Sequence, residues 1–93
     1  MYATVRNYEG ISNPRETAKQ ATDSFLPVIS KLPGFIAYYF VDTGNGTMVS
    51  MSVYENRTGA EESTRTAAEW VREHQNLIPT PARAAGGEVV MTS

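Results

Sequence analysis

From Phe35 to Val41 every side chain is apolar or aromatic, and the run closes on Asp42-Thr43-Gly44-Asn45-Gly46. Rings and β-branched residues bounded by turn formers predict a strand buried on both faces and followed by a hairpin. Its two rows, Phe35/Tyr39/Val41 and Ile36/Tyr38/Phe40, both need cover. The chain has 93 residues, 41% of them hydrophobic, which allows a single domain over 1–93 with one core. A core of that size is marginal, and two helices cover only one face of a four-stranded sheet. The other face is therefore expected to pack against a second copy of the chain, giving a homodimer with the Tyr38 ring in its core.

The flanking segments supply the other elements. Tyr2 to Glu9 alternates between Tyr2/Thr4/Arg6/Tyr8 and Ala3/Val5/Asn7, the period of a strand. Asn13-Pro14-Arg15-Glu16 reads as a helix start, with a capping side chain, a proline at the first helical position and a glutamate three residues after the cap. Ala18, Ala21, Phe25, Ile29 and Leu32 then recur at helical spacing. Pro27 has no amide hydrogen for the carbonyl of Asp23, so this helix is expected to kink or restart near Leu26 before Pro33-Gly34 ends it. Met48 to Tyr54 is the return strand, with Val49/Met51/Val53 on one face and Met48/Ser50/Ser52/Tyr54 on the other. Thr58-Gly59-Ala60-Glu61 reads as the capping box of a second helix, whose Ala60/Thr64/Ala67/Val71 stripe lies opposite a charged face. Pro79, Pro81, Gly86 and Gly87 mark a loop before a last short strand at Glu88–Met91.

Several function classes are excluded or disfavoured. Net charge is −2 and the basic residues stand singly, so no nucleic-acid partner is expected. With no cysteine, disulfides and thiolate chemistry are ruled out. The N-terminal residues lack the pattern of a secretory leader and no stretch is apolar enough to span a bilayer, which leads to the expectation of a cytoplasmic protein with no membrane role. Neither a dinucleotide fingerprint nor a metal-ligand constellation is present, so no cofactor and no metal are expected.

The element order, together with Tyr2-Ala3-Thr4-Val5-Arg6, Leu32-Pro33-Gly34-Phe35, Val49-Ser50-Met51-Ser52-Val53-Tyr54-Glu55 and Ala67-Ala68-Glu69-Trp70-Val71, resembles the dimeric α/β-barrel family. That is a ferredoxin-like α+β group which includes the antibiotic-biosynthesis-type monooxygenases. The resemblance spans essentially the whole chain. It implies a β-α-β-β-α-β fold, an antiparallel four-stranded sheet with two helices on one face, paired into a dimeric α/β barrel.

Members that degrade haem or oxidise aromatic polyketides use an asparagine on the first strand, a tryptophan on the second helix and, for haem, a histidine. The matching residue types are Asn7, Trp70 and His74. The resemblance thus implies a catalytic set of Asn7, Trp70 and His74; as polar groups beside an apolar face they are expected to border a cleft between the sheet and the second helix, where Tyr39, Val49, Met51, Ala67 and Val71 bind a small apolar or aromatic compound. His74 follows Trp70 by one helical turn and offers a general base or, in principle, a haem ligand. The function implied is monooxygenase-like and free of a tightly bound cofactor, the alternative being a non-catalytic dimeric domain. Asn7, late in its strand, lies nearer the helix start, whereas Trp70 is about eleven residues past that start, roughly 16 Å along the axis. The hydroxyls of Thr4, Ser50 and Ser52 are the other place where polar substituents of a ligand would be received.

Overall fold

A computed structural model describes residues 1–93, beginning with β1 (Tyr2–Tyr8) and a loop from which Asn13 caps α1 (Pro14–Gln20). The Asn13 side-chain oxygen accepts from the Glu16 amide at 3.2 Å, as the local sequence predicts. Ala21–Phe25 then widens into a π-helical segment, in which the Leu26 amide donates back to the Ala21 carbonyl, before α2 (Leu26–Ile29) resumes. The extra residue in that turn accommodates Pro27, which has no hydrogen to donate.

Three strands and one long helix follow: β2 (Phe35–Gly44), β3 (Thr47–Tyr54), α3 (Arg57–Glu73) and β4 (Arg83–Glu88). The sheet order is β2-β3-β1-β4 with every neighbouring pair antiparallel, the ferredoxin-like α+β arrangement. Asn45 and Gly46 both have positive φ in the β2–β3 turn, as a tight two-residue hairpin requires. No helix is long and apolar enough to cross a membrane.

The two faces of β3 differ in an unusual way. Met48, Ser50, Ser52 and Tyr54 are buried beneath the helices, while Val49, Met51 and Val53 are half-buried on the uncovered face. The interior thus takes the hydroxyl row and the bare face takes the apolar one. Register carries this pattern into β2, where Tyr38 and Phe40 pair with Ser52 and Ser50, and Tyr39 and Val41 pair with Met51 and Val49.

A bulge between Phe35 and Ala37 inserts Ile36 as an extra residue and reverses the parity expected from simple alternation. Phe35 therefore shares the helix-side face with Tyr38 and Phe40 and meets Tyr54 edge-on at 5.7 Å. Tyr38 belongs to the interior of the single chain, its ring 5.6 Å from Phe25, and not to the bare face where a dimer core was expected. The exposed row is Ala37, Tyr39 and Val41, with Tyr39 55% and Val41 50% accessible.

Two further boundaries differ from the sequence reading. Helix α3 is capped by Asn56, whose side chain accepts from Gly59 N at 3.0 Å, and not by Thr58. The shift draws Gly59 against β3, where an added Cβ would lie 2.8 Å from both the Pro33 carbonyl oxygen and Tyr54 Cδ2. The last strand is Arg83–Glu88, so Gly86 and Gly87 are paired with β1 and Val89 to Met91 lie beyond it. Gly86 fits because the Tyr2 ring lies over it, 3.2 Å from where a Cβ would stand.

Candidate functional site

Arg6 occupies the β1 row that faces the helices, between Thr4 and Tyr8, and is only 3% exposed. Its Nη1 donates to Ser52 Oγ at a long 3.5 Å and its Nη2 to Thr64 Oγ1 at 3.0 Å. Both acceptors are neutral, and the ion pairs of the chain lie elsewhere, at Lys19–Asp23, Arg57–Glu61 and Arg65–Glu62. Burial lowers the Arg6 pKa, and the phenols of Tyr8, Tyr38 and Tyr54 oppose that shift. A guanidinium stays charged at neutral pH under such perturbation, so a buried cation sits here without a carboxylate partner.

Beside Arg6 opens a cavity of about 430 Å³ between α3, β1, β4 and the segment leading into β4. Tyr8, Thr64, Gln75, Thr80 and Ala84 share its walls with Arg6. The volume falls within the range of small-molecule sites. Alanines at 67 and 68 leave the space, Val71 and Pro81 make it apolar, and Arg72 adds a second guanidinium. The lining contains no carboxylate and no imidazole. No group of three or more His, Cys, Asp or Glu side chains is placed to hold a metal ion.

Deeper in the same interface lies Ser50, whose buried Oγ has no hydrogen-bond partner. The Tyr8 and Tyr38 phenols lie near this hydroxyl without forming a hydrogen bond to it. Burial pushes both phenols up in pKa; the nearby Arg6 charge pulls each part of the way back.

The residues suggested by the sequence divide among three places. Ala67 and Val71 line the cavity. Trp70 and His74 stack on each other at 4.1 Å, on the side of α3 toward the π-helical segment, where Trp70 Nε1 donates to Ser24 Oγ at 2.8 Å and the indole lies 5.7 Å from Phe25. Asn7 pairs with Val49 and Arg83, which puts it on the bare face with Tyr39, Val49 and Met51. The sheet thus separates Asn7 from Trp70 and His74, and the expected three-residue cleft is not assembled within one chain.

Arg6 and Thr64 do not stand out as site residues in the sequence. The signal for Arg6 was its membership of the Tyr2/Thr4/Arg6/Tyr8 row. Had the serine row of β3 been recognised as the inner one, pairing would have carried Arg6 inside with it.

No family model matches the sequence, and no curated protein matches it. Solved structures do match in fold. MupZ from Pseudomonas fluorescens is 22% identical with a TM-score of 0.73, over 91% of this chain, which spans only 65% of that one. SnoaB, a cofactor-independent oxygenase from Streptomyces nogalater solved as a point mutant, is 12% identical with a TM-score of 0.76, over 98% of this chain and 94% of that one. A monooxygenase from the gene ActVA-Orf6 of Streptomyces coelicolor, in complex with Nanaomycin D, is 16% identical with a TM-score of 0.71, over 99% and 92% of the two chains. At these identities the likeness establishes a shared fold, the ferredoxin-like antiparallel sheet with helices on one face.

Proposed function

We propose that this chain is a homodimeric, monooxygenase-like protein that binds a small apolar or aromatic compound in the cavity between α3 and the sheet, and oxidises it without a tightly held cofactor. The observation that carries the reading is the cavity of about 430 Å³, walled by Ala67, Ala68, Val71 and Pro81 and containing a few convergent polar groups. Two structural neighbours of the same fold, described as a cofactor-independent oxygenase and as a monooxygenase bound to Nanaomycin D, support it by analogy. Without a cofactor the compound itself must supply the electrons. Conversion of an acidic methylene to a carbonyl balances with dioxygen alone: one oxygen atom becomes the carbonyl oxygen, and the other leaves as water with both methylene hydrogens.

A second reading, a non-catalytic binding domain of the same fold, is favoured by the lack of any carboxylate or imidazole in the lining that would take a proton. The homodimer rests on the exposed apolar row of Tyr39 and Val41 beside Val49 and Met51. Calorimetric titration with two- and three-ring aromatic compounds, followed by oxygen-electrode measurements on those that bind, tests the reading. Binding blocked by Ala68→Trp is expected, with oxygen uptake separating the enzyme from the binding domain. Failure of every compound to bind, or binding unaffected by Ala68→Trp, overturns the site.

A further inference from the structure

We propose that the cavity is a receptor for an organic monoanion, a flat apolar body bearing one carboxylate, with Arg6 as the residue that binds the charge. The inference rests on the reading of this cavity as the ligand site and goes beyond it by naming the ligand's charge. An arginine on a strand interior, 3% exposed, is a costly placement unless something answers it. The protein answers with two neutral hydroxyls, at 3.0 and 3.5 Å, and leaves the remaining N–H donors of the guanidinium without a protein acceptor.

A purely structural arginine would be expected to meet a carboxylate or a fan of carbonyls. Arg6 instead borders open space whose lining contains another guanidinium, Arg72, and no acidic side chain. The planar fork of a guanidinium matches a carboxylate in two parallel bonds, which fixes orientation as well as charge. The neighbouring phenols do not fill that role, since burial favours their neutral forms. The apolar remainder of the wall, Ala67, Ala68, Val71 and Pro81, fits the body of such an acid.

The test compares 2-naphthoate with its neutral counterpart 2-naphthamide, by calorimetric titration at neutral pH. Naphthoate should bind about tenfold more tightly or better, the scale of one charge-assisted hydrogen bond. In Arg6→Met that preference should vanish, and in Arg6→Lys part of it should return. Nitrogen-resolved NMR of the unmodified chain gives a readout that requires no variant: naphthoate, and not naphthamide, should shift the Arg6 Nε–H resonance. Equal affinity for the two probes, a preference undiminished in a folded Arg6→Met variant, or an unmoved Arg6 resonance overturns the inference. If both probes bind equally and Ala68→Trp blocks both, the cavity remains the site and only the anion is wrong. If neither probe binds, the failure extends to the reading of the cavity itself.

Discussion

Trp70 and His74 lie face to face, ring centroids 4.1 Å apart and planes 19° from parallel, while His74 Nδ1 sits 2.7 Å from the Trp70 carbonyl oxygen. A carbonyl only accepts, so Nδ1 carries the hydrogen and Nε2 is the basic position. The pair forms a closed local unit at the end of α3, with His74 as the C-terminal cap.

That stacking makes the chain's one tryptophan a reporter of the histidine. The imidazole covers one face of the indole, so its removal changes what the excited ring meets. Trp70 emission should therefore shift to longer wavelength in His74→Ala, as water reaches the uncovered face. A spectrum unmoved by that substitution would contradict the stacked geometry.

Alternation along β2 gives adjacent tyrosines opposite roles, Tyr38 facing the helices and Tyr39 the bare face. Tyr39→Asp places a charge on the exposed row and should convert a dimer to a folded monomer, read by light scattering with circular dichroism unchanged. Tyr38→Asp instead buries an unpaired carboxylate against Phe25 and should cost on the order of 3 kcal/mol or more in urea denaturation. A Tyr39→Asp protein that assembles like the parent would locate the interface elsewhere.

The position of the α3 cap is equally open to measurement. Asn56→Ala removes the acceptor of the Gly59 amide and should destabilise the chain by about 1 kcal/mol. Thr58→Ala, which removes no such bond, should stay within about 0.5 kcal/mol. The reverse ranking would restore the capping box read from Thr58.

Alkaline pH probes the buried phenols. Burial raises the pKa of Tyr8 and Tyr38 in the folded chain, so between the unfolded tyrosine value, about 10, and the folded values the native state holds protons that the unfolded chain has lost. Stability should therefore be unaffected by these two groups below about pH 10 and fall as pH rises beyond it. Thermal melts across that range should show a shallower decline in Tyr8→Phe and Tyr38→Phe, and an unchanged slope would mean both phenols ionise freely.

Much of the fold was legible because local signals agreed with tertiary packing. Asn13 caps where it should, the restart at Leu26 follows from Pro27, and the alternation of β3 separates its two rows correctly. What escaped was the direction of those rows. Alternation alone does not say which row meets the helices, and the bulge at Ile36, which moves Phe35 onto the Tyr38/Phe40 face, has no mark in a continuous apolar run. Gly86 reads as loop because its fit depends on a partner, the Tyr2 ring, that alternation cannot reveal. The site was harder still: residue types pointed to Asn7, Trp70 and His74, whereas the cavity forms around Arg6, whose significance comes from lacking an acidic neighbour in space.

The contact of Gly59 with Pro33 and Tyr54 has a mechanical side. With no room for even a methyl group there, the first turn of α3 is clamped to the sheet. The far end is held as well, Trp70 by its hydrogen bond to Ser24 and Val71 by its packing with Tyr8 and Ile78. The stretch that roofs the cavity is therefore a span braced at both ends, and guest size is limited by the gap beneath it.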